Sequence, residues 1–81
     1  MTDYPIKTPQ QLGAVVQGYR KHRGLTQKDV GAKVGLAQSV VSLFEASPHR
    51  VGLVRVFKLL AALDLELVVR PRGAQTRRSE W

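Results

Sequence analysis

Leu12, Val15, Val16 and Tyr19 recur at three- and four-residue steps, the spacing of one helix face. Upstream, Thr8 caps, Pro9 suits the first helical position and Gln11 completes a capping box. Arg20, Lys21, His22 and Arg23 complement the carboxyl end of the dipole, and Gly24 follows as a stop. The pattern predicts a helix over about 9–23. A second start comes at once, with Thr26 as cap and Asp29 in the first turn, giving a helix to about Lys33. Gly35 falls where the next break is needed. A third helix is expected from about Gln38 to Glu45, with Val40/Val41 and Phe44 inward, and a loop over 46–50. A fourth spans about 52–63. There Leu53, Val56, Phe57 and Leu60 mark an apolar face, with Arg55 and Lys58 opposite.

After residue 63 the period changes. LELVVRP, residues 65–71, alternates Leu65, Leu67 and Val69 against Glu66, Val68 and Arg70, which is strand periodicity. A lone strand leaves its backbone groups unpaired. The arm around Tyr4 and Ile6 is one candidate partner, and the same strand of a second copy is the preferred one. Residues 1–72 therefore read as one domain, and 73–81, GAQTRRSEW, as a flexible basic tail ending in Trp81.

Composition narrows the class. The chain has 81 residues, one domain's worth, and 43% hydrophobic residues place it among folding chains. It has no cysteine, which excludes disulfides and thiolate metal sites. The apolar runs are short and the N-terminus lacks a signal-peptide pattern, so a soluble cytoplasmic protein is expected. A net charge of +7 and a pI near 10.6 favour a polyanionic partner, nucleic acid first and a membrane surface second. His22 and His49 have no partners in metal-ligand spacing, so no metal or cofactor is expected. No nucleophile–base–orienter set and no glycine-rich phosphate loop appears, which argues against an enzyme.

The stretch DVGAKVGLAQS, residues 29–39, carries Gly31 and Gly35 in otherwise helical sequence. Glycine inside a helix costs about 1 kcal/mol relative to alanine. Two short helices crossing around a tight turn explain both. Gly31 would lie at the closest approach to the next helix, and Gly35 would supply the positive φ of the turn. Val30, Val34, Leu36, Val41 and Phe44 would then face inward, and the geometry is a helix-turn-helix.

This pattern over about residues 10–65 resembles the Cro/C1-type helix-turn-helix family, the fold of the phage lambda repressors. The residues that carry it are Arg20, Gly24-Leu25-Thr26-Gln27, Val30-Gly31, Val34-Gly35-Leu36, Gln38-Ser39, Val41-Ser42 and Phe44-Glu45. Gly31 departs from the alanine more usual there. The fold expected is all-α: a lambda-repressor-like bundle of four to five helices, with one C-terminal β-strand pairing across a homodimer. In such motifs the second helix enters the major groove with its N-terminal residues on base edges. Ala37, Gln38, Ser39, Ser42 and Leu43 lie on or beside the outward face and are candidate base contacts. Gln38 suits a bidentate contact to adenine, the serines can donate or accept, and Ala37 and Leu43 suit a thymine methyl. Thr26, Lys28, Lys33, Arg50 and Arg55 are candidate phosphate contacts, which register the protein on a duplex without reading sequence. The resemblance implies that Gln27 also touches a phosphate and braces Gln38, and that Arg20 and Glu45 form a structural bridge.

The layout of a Cro/C1-type domain, a strand at 65–70 and a tail ending in tryptophan is similar to HipB-type antitoxins. That likeness implies a dimeric repressor of its own operon, acting on a palindromic double-stranded operator and binding a HipA-type serine/threonine kinase toxin. Trp81 is then the candidate anchor on the toxin, because tryptophan is a frequent hot-spot residue. A solitary Cro/C1-type repressor or phage regulator shares the DNA face and lacks the toxin. A pure protein-interaction module would use the charge for an acidic partner.

Overall fold

The computed structural model describes residues 3–73. Four α-helices follow one another: α1 (Pro9–His22), α2 (Gln27–Val34), α3 (Gln38–Ala46) and α4 (Leu53–Ala62). A 3-10 turn at Pro48–Arg50 stands between α3 and α4, where the sequence suggested a plain loop.

The local signals explain the boundaries. Thr8 and Gln11 form the capping box at the start of α1. Thr26 and Asp29 form a second box at α2, each satisfying a backbone N–H of the other. Gly35 ends α2 with φ 70°, the left-handed conformation that costs glycine least. Gly31 is buried, but its nearest neighbour is not the one the pattern suggested. A side chain there would overlap the Leu36 backbone carbonyl of the turn first, and Val41 of α3 lies only at ordinary contact distance, 3.4 Å. The missing Cβ thus lets the turn fold back over α2. Leu36 N–H donates to the Gly31 carbonyl at 2.9 Å and closes it.

α2 packs on α3 and α4, and α1 on α3. Their shared core is Val16, Val30, Val41, Phe44, Val56, Leu59, Leu60, Ala62 and Leu63. Val34 and Leu36 are half-buried at its edge.

One expectation needs correction. The inner face of α4 is built from Val56, Leu59 and Leu60, while Leu53 and Phe57 point to solvent, Phe57 with 52% of its surface exposed. α4 is apolar on two faces, and helical spacing alone does not say which one meets the core. The strand expected at 65–70 is not formed within the single chain. Asp64, at φ 57°, reverses the chain at the end of α4, and Leu65 N–H donates to the Leu60 carbonyl at 2.8 Å. Leu65 then packs against the core. Beyond it, Glu66, Leu67, Val68, Val69 and Arg70 are exposed and no strand forms among the described residues. A strand's hydrogen bonds need a second strand, and the single chain does not supply one. The N-terminal arm does approach, with Arg70 Nη1 3.7 Å from Asp3 Oδ2, but no ladder joins the two segments. Trp81 and the rest of the tail beyond Gly73 lie outside the described residues.

Candidate nucleic-acid interface

The α2–turn–α3 unit presents the first turn of α3 to solvent. Ala37, Gln38, Ser39 and Ser42 are exposed, and Leu43 is half-buried beside them. Val41 and Phe44, on the opposite face, are fully inside and anchor the helix. Ala37 occupies the N-cap and offers no capping side chain, so the first amides of α3 point outward without a side-chain acceptor. Such a helix start is electropositive and suits an anionic oxygen.

Behind this surface runs a chain of polar side chains. Arg20, near the end of α1, grips Glu45 of α3 with both prongs of its guanidinium: Nε to Oε2 at 2.6 Å and Nη2 to Oε1 at 3.0 Å. Its third donor, Nη1, bonds the Leu25 carbonyl at 2.7 Å. Glu45 Oε1 also accepts from Gln27 Nε2 at 3.0 Å. Gln27 Oε1 in turn accepts from Gln38 Nε2 at 3.4 Å. One connected path therefore joins the end of α1, the start of α2 and the start of α3. The Arg20 and Glu45 side chains keep 9% and 2% of their surface, so the pair is shielded from water. Every buried side-chain polar atom among the described residues has a partner.

The electrostatics follow from this packing. Burial pushes the Glu45 carboxyl up, but the hydrogen bonds from Arg20 and Gln27 and the Arg20 charge outweigh it and hold it below the ordinary glutamate value. The hydrogen bond to Glu45 raises the Arg20 guanidinium further. Asp29 is lowered by the backbone and hydroxyl of Thr26 that it caps.

The candidate phosphate groups divide by position. Thr26 and Gln27 open α2, and Lys28 and Lys33 lie exposed along the same helix. Arg50 ends the 3-10 turn and Arg55 lies in the first turn of α4, both exposed. Lys28, Lys33, Arg50 and Arg55 form no ion pair among the described residues. The structure joins Gln27 and Gln38 by a hydrogen bond, and neither Arg50 nor Arg55 bonds to that cluster.

Pattern reading missed Arg23. Its Nη1 donates to the Leu63 carbonyl at 3.1 Å, approaches Asp64 at 3.7 Å and sits 5.9 Å over the Tyr19 ring. It ties the C-terminal ends of α1 and α4 together across 40 residues, a contact without a local signal. It also missed that Leu53, Val54 and Phe57 of α4 are exposed, as are Leu67, Val68 and Val69 beyond the helix. The signal was present in α4, which is apolar on more than one face.

Two short helices joined by a tight turn, with an exposed polar face on the second and an ion pair bracing it from behind, define a helix-turn-helix protein. A helix-turn-helix family model matches residues 16–69, and the chain belongs to that family, in its Cro/C1-type branch. Among its relatives are two proteins named antitoxin HipB. That of Escherichia coli O6:H1 (strain CFT073) is 30% identical over 87 aligned positions, covering 100% of this chain and 93% of the relative. That of Escherichia coli (strain K12) is 29% identical, covering 100% and 99%. Two similar solved structures are described as "Structure of HipA-HipB-O2-O3 complex", with TM-score 0.85, and "HipB-O4 20mer complex", with TM-score 0.84. Each is 30% identical and covers 88% of this chain and 100% of its own. No helix among the described residues is long and apolar enough to cross a membrane.

Proposed function

We propose that this protein is a sequence-specific DNA-binding antitoxin that represses its own operon as a homodimer and binds a HipA-type serine/threonine kinase. The observation that carries the DNA reading is Gln38: an exposed amide at the start of α3, held from behind through Gln27 and Glu45. Held in this way, Gln38 enters the major groove already oriented. Ala37, Ser39, Ser42 and Leu43 flank it on the base edges, while Thr26, Gln27, Lys28, Lys33, Arg50 and Arg55 take phosphates.

The dimer reading is supported by the apolar surface that the single chain leaves uncovered. Leu53, Val54 and Phe57 on α4 are exposed, as are Leu67, Val68 and Val69, and the backbone of 66–70 makes no hydrogen bond among the described residues. A second copy covers both at once, pairing segment with segment and α4 patch with α4 patch around a two-fold axis. Two α3 helices then meet half-sites about 34–36 Å apart, one turn of duplex. The full-length likeness to the two HipB antitoxins, and to a solved complex containing HipA, supports a kinase partner, with Trp81 as its anchor. Residues 1–72 form the DNA-binding domain in this reading, and 73–81 the tail that reaches the toxin.

A gel shift with the chain's own promoter tests the core of this. The wild type forms a salt-sensitive, sequence-specific complex, and Gln38→Ala abolishes its specificity at unchanged fold. Specific binding that survives Gln38→Ala defeats the DNA reading. Co-purification with the adjacent gene product separates an antitoxin from a repressor without a toxin.

A further inference from the structure

The Glu45 side chain is 2% exposed and does not reach the surface where a base would lie. We infer that Glu45 is a positioning residue that determines which base Gln38 reads, selecting adenine over guanine by fixing the polarity of the amide relay Glu45–Gln27–Gln38. The inference rests on the DNA-binding reading of Gln38 above.

A carboxamide has nearly the same shape either way round, so its oxygen and nitrogen are sorted by a neighbour of fixed polarity. Glu45 is such a neighbour. Both its oxygens are held by Arg20 at 2.6 and 3.0 Å, so it stays ionised and can only accept. Gln27 must therefore turn its Nε2 toward Glu45, as it does at 3.0 Å, and its Oε1 toward Gln38. Gln38 must then donate, and one of its two N–H bonds is used on Gln27. What remains for the base is one N–H and one oxygen.

Adenine offers one acceptor, N7, and one donor, the N6 amino group, which match that remainder. Guanine offers two acceptors, N7 and O6, and needs two N–H donors. With one N–H already spent, Gln38 would set its oxygen against guanine O6. A reversed relay would free both N–H bonds of Gln38 and fit guanine. A buried carboxylate two residues removed along the relay thus excludes one purine without touching it. The second N–H of Gln27 stays available for a phosphate, so both roles of that side chain are compatible.

Selection from randomised duplexes tests this with the full-length protein, Glu45→Gln and Gln27→Met. In Glu45→Gln one of the two oxygens becomes an NH2 donor, so position 45 is no longer a pure acceptor and no longer imposes one orientation on Gln27. The wild type prefers adenine over guanine by about 5- to 140-fold at one position of each half-site. Glu45→Gln lowers that ratio at least about fivefold, or inverts it, with preferences at other positions unchanged. Gln27→Met also lowers it, by returning the second N–H to Gln38. Thermal melts establish that each variant is folded. A full adenine preference in folded Glu45→Gln overturns the inference, and where that variant does not fold, a full preference in Gln27→Met does so. A wild type that selects a sequence without this adenine overturns the inference alone. A wild type that selects no sequence overturns the DNA-binding reading as well.

Discussion

Replacing Arg20 by alanine removes the guanidinium from a site where it makes three hydrogen bonds. What is left behind decides the cost. The Glu45 carboxylate remains, its side chain 2% exposed, with the hydrogen bond from Gln27 still in place, and the Leu25 carbonyl loses the donor Arg20 supplied. Removing one member of a buried pair destabilises by about 3–5 kcal/mol, mostly the penalty of the orphaned charge. An 81-residue domain has a total stability of about 4–12 kcal/mol at the usual per-residue range, so the loss is a large share of it. Urea unfolding at fixed protein concentration measures it, because the stability of the proposed dimer depends on concentration. The pH dependence carries the sign. In the wild type Glu45 is held below its ordinary value, so its contribution is present above pH ~4.3 and is lost as pH falls through the folded value. In Arg20→Ala, burial without the cation raises the same carboxyl, so it destabilises above pH ~4.3 and ceases to do so once protonated. The gap between the two proteins is therefore widest near neutrality and narrows as pH falls through the folded value of Glu45. The double substitution Arg20→Met with Glu45→Met orphans no charge and costs less than Arg20→Ala alone. A loss under about 1 kcal/mol, a gap independent of pH, or a double variant worse than the single would refute the reasoning.

Gly35→Ala, at φ 70°, costs about 1–2 kcal/mol and lowers the melting temperature; an unchanged melt would mean the turn does not require the left-handed conformation. Phe57→Asp charges the exposed face of α4, and sedimentation should show a monomer with unchanged helix content. Persistence of the dimer would place its seam elsewhere. Operator affinity falls linearly with the logarithm of salt, and Lys33→Ala reduces that slope by about 1 while leaving base preferences intact. An identical slope would make Lys33 an idle surface charge.

The sequence by itself determined what depends on neighbours three and four residues apart. The capping box at Thr8, the cap at Thr26, the four helices, the break at Gly35 and the outward positions Ala37, Gln38, Ser39 and Ser42 follow from short-range spacing, because caps and helix faces are local. It also carried the family, since the residues of the helix-turn-helix stand at fixed intervals. Tertiary structure alone decided the rest. Helical periodicity shows that α4 has apolar faces but not which one a finite core has room for, so Val56, Leu59 and Leu60 went inside and Phe57 did not. Alternation at 65–70 signals a strand, yet strand bonds are made between segments, and one chain folded alone leaves that segment without a partner. The direction of the hydrogen bonds from Glu45 to Gln38 exists only once α1, α2 and α3 have met. It spans side chains 25, 18 and 11 residues apart, a distance over which packing, not spacing, decides which groups touch.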